Sequence, residues 1–152
     1  MKLRFALLGA CALALTLAAA LYAAGPEITV YKLSTCTCCM QWVEHLKKNG
    51  FQVTVKEVPS VDEYKRQFGV PKHLESCHTA VVDGYAIEGH VPASEILRLL
   101  KERPRAKGLA VPGMPLGSPG MEASQRDVRD AYDVVLFTAD GKNFVYRHYA
   151  GN

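Results

Sequence analysis

The feature that most constrains this chain is "CTCC" at positions 36–39, which lies between the β-rich "EITVYKL" and an amphipathic helical run. From Glu27 to Leu33, apolar Ile28, Val30 and Leu33 are interleaved with polar or amphipathic neighbours, which predicts a strand. Ser34 and Thr35 offer N-cap oxygens, Met40, Val43 and Leu46 recur at helical spacing, and Asn49-Gly50 supplies a stop. The cysteines therefore sit at a strand-to-helix turn. Orphan N–H groups and the helix dipole there favour thiolates, which raises either reactivity or metal affinity.

The remaining segments fix the class. "FQVTVKEV" places Phe51, Val53 and Val55 on one face of a second strand, and Ser60-Val61-Asp62-Glu63 is a capping box for a short helix ending near Gly69 and Pro71. "HTAVVDGYAIEGH" reads as a hairpin turning at Asp83-Gly84. Pro92 opens a helix carrying Ile96, Leu97 and Leu100, closed before Pro104. "GLAVPGMPLGSPGME" (108–122) is too rich in glycine and proline for a regular element, and residues 131–149 form a last hairpin turning at Asp140-Gly141. Strand, helix, strand, helix, hairpin, helix gives one parallel crossover followed by an antiparallel pair. The expected class is α/β, a thioredoxin-like fold with a C-terminal Gly/Pro/Met-rich loop and an extra β-hairpin.

The first two dozen residues follow a separate logic. Lys2 and Arg4 precede an apolar run from Phe5 to about Ala20, and no acid appears before Glu27, so residues 1–24 are read as a secretory signal peptide. Cleavage is expected after Ala20 or Ala24, and an uncleaved leader would be the only membrane attachment. Leu8-Gly9-Ala10 before Cys11 loosely resembles a lipoprotein box, but too few apolar residues precede it. With 49% hydrophobic and 22% charged residues, the 152-residue chain suits one core, and residues 27–150 are read as a single metal-binding domain. Losing the leader lowers the formal net charge from +3 to +1, because Lys2 and Arg4 leave and no acid does; no basic patch argues for nucleic acid.

Export leaves Cys36, Cys38, Cys39 and Cys77 where structural disulfides can form, and two such bridges are the plain alternative. Crowding argues against it, since a domain of this size buries a core without staples. In a thioredoxin-like fold the loop entering the hairpin lies against the C-x-x-C turn, and here that loop carries Cys77 and His78. Thioredoxins usually place a cis-proline there, whereas "SCHTAVV" has none, which weakens dithiol exchange and strengthens a ligand cluster. Thiolates with imidazole or thioether suit zinc, iron–sulfur or Cu(I). The spacing is not that of a zinc ribbon, and adjacent Cys38 and Cys39 are awkward on one tetrahedral ion. Bridging thiolates in a polynuclear Cu(I) site relieve that problem.

"CTCC" at 36–39, "CHTAVVDGYAIEGHVPASEI" at 77–96 and "GLAVPGMPLGSPGME" at 108–122 resemble the CopG family of bacterial copper-resistance proteins, a thioredoxin-like family once described as a domain of unknown function. With the closing hairpin, the resemblance spans nearly all of the chain from Glu27 onward. It implies periplasmic copper handling, with Cys36, Cys38, Cys39 and Cys77 holding a cysteine-bridged cluster of several copper ions and a histidine joining in some copper states. His78 is the first candidate, although neighbours on a strand point to opposite faces. His90, between hairpin and helix, is the second; His148 is ambiguous, and His45 and His73 are expected to be solvated. Met114 and Met121 offer thioethers to Cu(I), with gap-filling as the competing role. Met40 is expected in the core and Trp42 at the sheet edge.

The expected function is periplasmic copper binding in copper resistance, with interconversion of Cu(I) and Cu(II) as an enzymatic extension for which no catalytic residue is assigned. Expected partners are copper ions and periplasmic copper-transfer or electron-transfer proteins. The alternative is a thiol–disulfide oxidoreductase using Cys36 and Cys39, with Cys38 or Cys77 as resolving thiol. A Cys36–Cys39 bridge would equally be the resting oxidised form of a metal site.

Overall fold

The computed structural model describes residues 25–122 and 128–152, so the expected leader lies outside the described residues. The chain runs β1 (Glu27–Lys32), α1 (Thr37–Lys48), β2 (Gln52–Glu57), α2 (Asp62–Phe68), a 3-10 turn (Lys72–Leu74), β3 (Thr79–Val82), β4 (Tyr85–Glu88), α3 (Ala93–Glu102), β5 (Gly108–Ala110), β6 (Tyr132–Phe137) and β7 (Asn143–Tyr149). These strands form one mixed sheet in the order β2-β1-β3-β4-β5-β6-β7. β1 pairs parallel with β2 and β3 antiparallel with β4, as the predicted crossover and hairpin require, and β3 also lies antiparallel beside β1. The β3–β4 turn has φ of 47° at Asp83 and 84° at Gly84, the two positive values that a type I′ hairpin demands.

Alternation along the strands sorts the layers. Ile28, Val30, Ala80, Val82, Ile87 and Leu109 share one core with Trp42, Val43 and Leu46 of α1 and Ile96 and Leu99 of α3. Ala86, Ala110 and Phe137 face the other way and pack with Val70 and Leu74. On that second face Tyr31 stacks on Tyr64 of α2, ring centroids 4.1 Å apart. Helices thus cover both faces of an α/β sheet.

Several local expectations are corrected. The buried stripe of α1 is Cys39, Trp42, Val43 and Leu46, spaced i, i+3, i+4, i+7; Met40 lies one position off it and is 37% exposed. Trp42 is fully buried rather than at the sheet edge. The N-cap of α1 is Cys36, with no side-chain cap hydrogen bond, so Ser34 and Thr35 do not cap it. In α3 the inward position belongs to Leu99, and Leu97 is exposed. The expected capping box does not form: the N-cap of α2 is Val61, which makes no side-chain cap hydrogen bond, and Ser60 only accepts the Asp62 N–H at 3.2 Å. The Gly/Pro-rich stretch opens with a strand after all: at Gly108 a side chain would collide with the Ala86 backbone, so glycine lets β5 pair beside β4.

Candidate metal centre

Three neighbouring strands deliver the site residues to one end of the sheet. β1 runs into the turn that carries Cys36, closed by the Cys36 N–H donating to the Leu33 carbonyl at 3.1 Å. β3, antiparallel to β1, begins just after Cys77 and His78; β4 returns and ends just before His90. Cys36 and Cys39, one helical turn apart, form a disulfide, while Cys38 and Cys77 are free. The Cys38 sulfur lies 3.6 Å from that of Cys36, and the Cys77 sulfur 3.7 Å from that of Cys39. All four sulfurs fall within 4.8 Å of one another.

A second set shares Cys77. Its sulfur is 3.2 Å from both His78 Nδ1 and His90 Nε2, and these three donor atoms also lie within 4.8 Å. His90 Nδ1 is 2.8 Å from the Pro119 carbonyl oxygen, which can only accept; the ring proton therefore sits on Nδ1 and leaves Nε2 as a lone pair facing Cys77. His78 is fully buried, its ring 4.4 Å from that of Trp42 and 5.1 Å from that of His90, and its Nε2 makes no hydrogen bond among the described residues. Trp42 is fixed by donating its indole N–H to the Val91 carbonyl at 2.8 Å. The alternation that would separate Cys77 from His78 does not operate, because both precede β3, which starts at Thr79.

The electrostatics favour neutral donors until a cation arrives. Burial pushes the Cys77 thiol up to about 11, with the Cys38 thiol adding to the rise and the Ser76 hydroxyl opposing it. Burial, then the neighbouring His90 and Lys65, hold His78 well below the ordinary histidine value. Burial also lowers His90, against the pull of the Pro119 carbonyl and Glu122. At neutral pH this is a thiol flanked by two uncharged imidazoles, and a soft cation displacing the thiol proton supplies the charge that burial withholds.

The Gly/Pro/Met-rich segment closes over the cluster. Ser76 donates its O–H to the Gly113 carbonyl, Pro119 receives His90, and Gly120 lies against the first turns of α1. Gly120 has φ of +84°, and a Cβ there would stand 2.7 Å from Trp42 N and 3.0 Å from the Cys38 carbonyl oxygen, so only glycine fits. Met121 follows it and is half-buried, whereas Met114, next to Gly113, is 52% exposed. The other histidines are engaged elsewhere. His148 pairs with Asp133 at 2.7 Å, and His73 lies 2.7 Å from Asn143. His45, expected to be solvated, is half-buried and accepts the Ala93 N–H at 3.1 Å.

Sequence reasoning missed the support beneath Cys77. Glu88, fully buried at the end of β4, accepts hydrogen bonds from Lys65 Nζ of α2, the Thr79 hydroxyl (2.6 Å) and the Ser76 N–H (2.6 Å). The signal was available: an Asp-Gly turn of two residues sets Thr79 opposite Glu88, a carboxylate in a strand with no polar edge to face.

A solved structure named "Copper resistance protein copG- Form 2" matches at 47% identity with a TM-score of 0.77, covering 82% of this chain and 98% of that one. The chain belongs to the CopG family of copper resistance proteins. The "Form 1" structure agrees, also at 47% identity and TM-score 0.77, over 84% of this chain and 100% of its own. A family model described as "Protein of unknown function, DUF411" matches residues 74–121, the stretch holding Cys77, His78, His90 and the closing loop up to Met121. No curated protein matches. In this CopG-family chain, therefore, the half of the cluster missing from the "CTCC" turn lies within the family-model match.

Proposed function

We propose that this chain is an exported, periplasmic copper-binding protein of copper resistance, holding several copper ions in a thiolate-bridged cluster on Cys36, Cys38, Cys39 and Cys77. The observation that carries the reading is the convergence of four sulfurs from two distant segments within 4.8 Å of one another. Sulfurs so crowded suit bridging, in which each thiolate serves more than one Cu(I), better than a mononuclear tetrahedral site. His78 and His90 add nitrogen donors that accommodate Cu(II), which supports interconversion of the two oxidation states at Cys77. Met114 and Met121, on the closing loop, are the thioether candidates. The leader-like residues 1–24 and the cysteine usage support export, and residues 27–150 are the thioredoxin-like domain that would act in the periplasm. Copper-transfer or electron-transfer proteins there would be its partners.

The disulfide between Cys36 and Cys39 favours a second reading, thiol–disulfide exchange. It is also compatible with the first: an external dithiol supplying two electrons and two protons opens the bridge, leaves as a disulfide, and frees all four thiols for copper. One experiment separates them. The protein is purified anaerobically and reduced, Cu(I) is added, and bound metal is counted. With all four thiols free, the copper reading requires more than one ion per chain, and less than one refutes it. Insulin reduction by the metal-free protein, abolished in Cys36→Ser, would favour the exchange reading instead.

A further inference from the structure

We propose that the buried Glu88–Lys65 pair is a positioning device for Cys77, acting through the backbone N–H of Ser76. Its bearing on copper rests on the function proposed above; the positioning itself does not. The pair is almost entirely out of water, with side-chain exposures of 3% for Lys65 and 0% for Glu88. Buried ion pairs are commonly replaceable by apolar residues of similar volume at no loss of stability, so stability alone does not account for this one.

The connections of Glu88 do account for it. The carboxylate accepts from Lys65, from the Thr79 hydroxyl and from the Ser76 N–H, one residue before Cys77. Ser76 is held at its other end by donating its hydroxyl proton to the Gly113 carbonyl of the closing loop. The Gly89 N–H donates to the His78 carbonyl at 3.1 Å, and a Cβ on Gly89 would stand 2.6 Å from Ser76 Oγ, so the turn leading to His90 is packed on the same serine. Ser76 is thus the point where the Cys77 turn, the His90 turn and the closing loop meet, and Glu88 fixes it. Lys65 neutralises Glu88 and ties α2, which contributes no ligand, to this point. Metal–sulfur distances tolerate only about 0.2 Å of error, so the last few tenths of an ångström in the Cys77 backbone matter.

The test compares Lys65→Met/Glu88→Leu, which removes both charges and the acceptor, with Lys65→Met/Glu88→Gln, which removes the charges but keeps an acceptor for Ser76. In metal-free, reduced protein at one pH, the ratio of Cys77 to Cys38 carboxymethylation by iodoacetate is read by mass spectrometry, with thermal melts alongside. The Leu variant should raise the ratio by at least about threefold, the factor that one lost hydrogen bond is worth, and the Gln variant should restore the parental ratio whatever the order of their melting temperatures. Equal ratios in both variants, at the parental value or above it, overturn the proposal. Amide exchange in the parent decides independently should the Leu variant not fold: the Ser76 amide must be protected, and exchange at the rate of a free loop amide overturns it. Cu(I) capacity is counted in the same proteins. A parent that binds no copper removes the copper reading and leaves the alkylation and exchange results to judge the positioning.

Discussion

Replacing Gly120 by alanine should unlatch the closing loop, and its cost can be worked from the geometry. At φ of +84° an L side chain costs about 1–2 kcal/mol. The new Cβ would stand 2.7 Å from Trp42 N, and reaching ordinary contact at 3.4 Å requires the loop to retreat about 0.7 Å, since the helical backbone it meets cannot yield. Carried to the neighbouring Pro119, that retreat stretches the 2.8 Å bond from His90 Nδ1 to about 3.5 Å, outside hydrogen-bonding range. Its loss adds about 0.5–1.5 kcal/mol. Gly141→Ala is the control: Gly141 has φ of +81°, and a methyl group there would meet nothing within 4 Å among the described residues, so it bears the backbone cost alone. Urea unfolding of the metal-free protein should show Gly120→Ala the less stable of the two by about 0.5–1.5 kcal/mol, the hydrogen-bond loss, since the backbone cost is common to both. Equal losses would refute the latch, because the backbone conformation would then be the whole effect.

Three further outcomes follow from the same site. His78 is buried and held below 6.5, so the unfolded chain takes up its proton first as pH falls; metal-free protein should lose stability below about pH 6.5, measured as a falling melting temperature, and His78→Phe should flatten that slope. Thiol titration of the protein from residue 25 onward should find two free thiols, Cys38 and Cys77, before reduction and the other two only after it, with Cu(I) capacity rising in step. Trp42, the only tryptophan, lies 4.4 Å from His78, so its fluorescence should fall on copper addition in the parent and change less in His78→Ala.

The sequence carried the fold where one physical signal dominated. The Asp83-Gly84 turn, the strand before Cys36 and the helix after it were legible because turn chemistry and periodicity agree there. β5 was not, since three residues are too few to show a period and their pairing depends on the contact between Gly108 and Ala86. Met40 and Trp42 were exchanged because the apolar stripe of α1 has two plausible phases, and only the packing around His78 selects between them. At the site, Cys77 was placed from topology, but its closeness to His78 follows from β3 starting at Thr79, one residue after the expected His78, a boundary no pattern specifies. Lys65 and Glu88 meet across 23 positions of chain, which a single sequence does not reveal.

The site is fed by β1, β3 and β4, which occupy the second, third and fourth places of the seven-strand order, while β2 and β7 lie at the rims. Fraying of a sheet starts at its rims and costs least there. Breathing of either rim would therefore leave all the thiols and both buried imidazoles in register, and a bound ion would escape by loosening of the loop from Gly113 to Glu122 rather than by partial melting of the sheet.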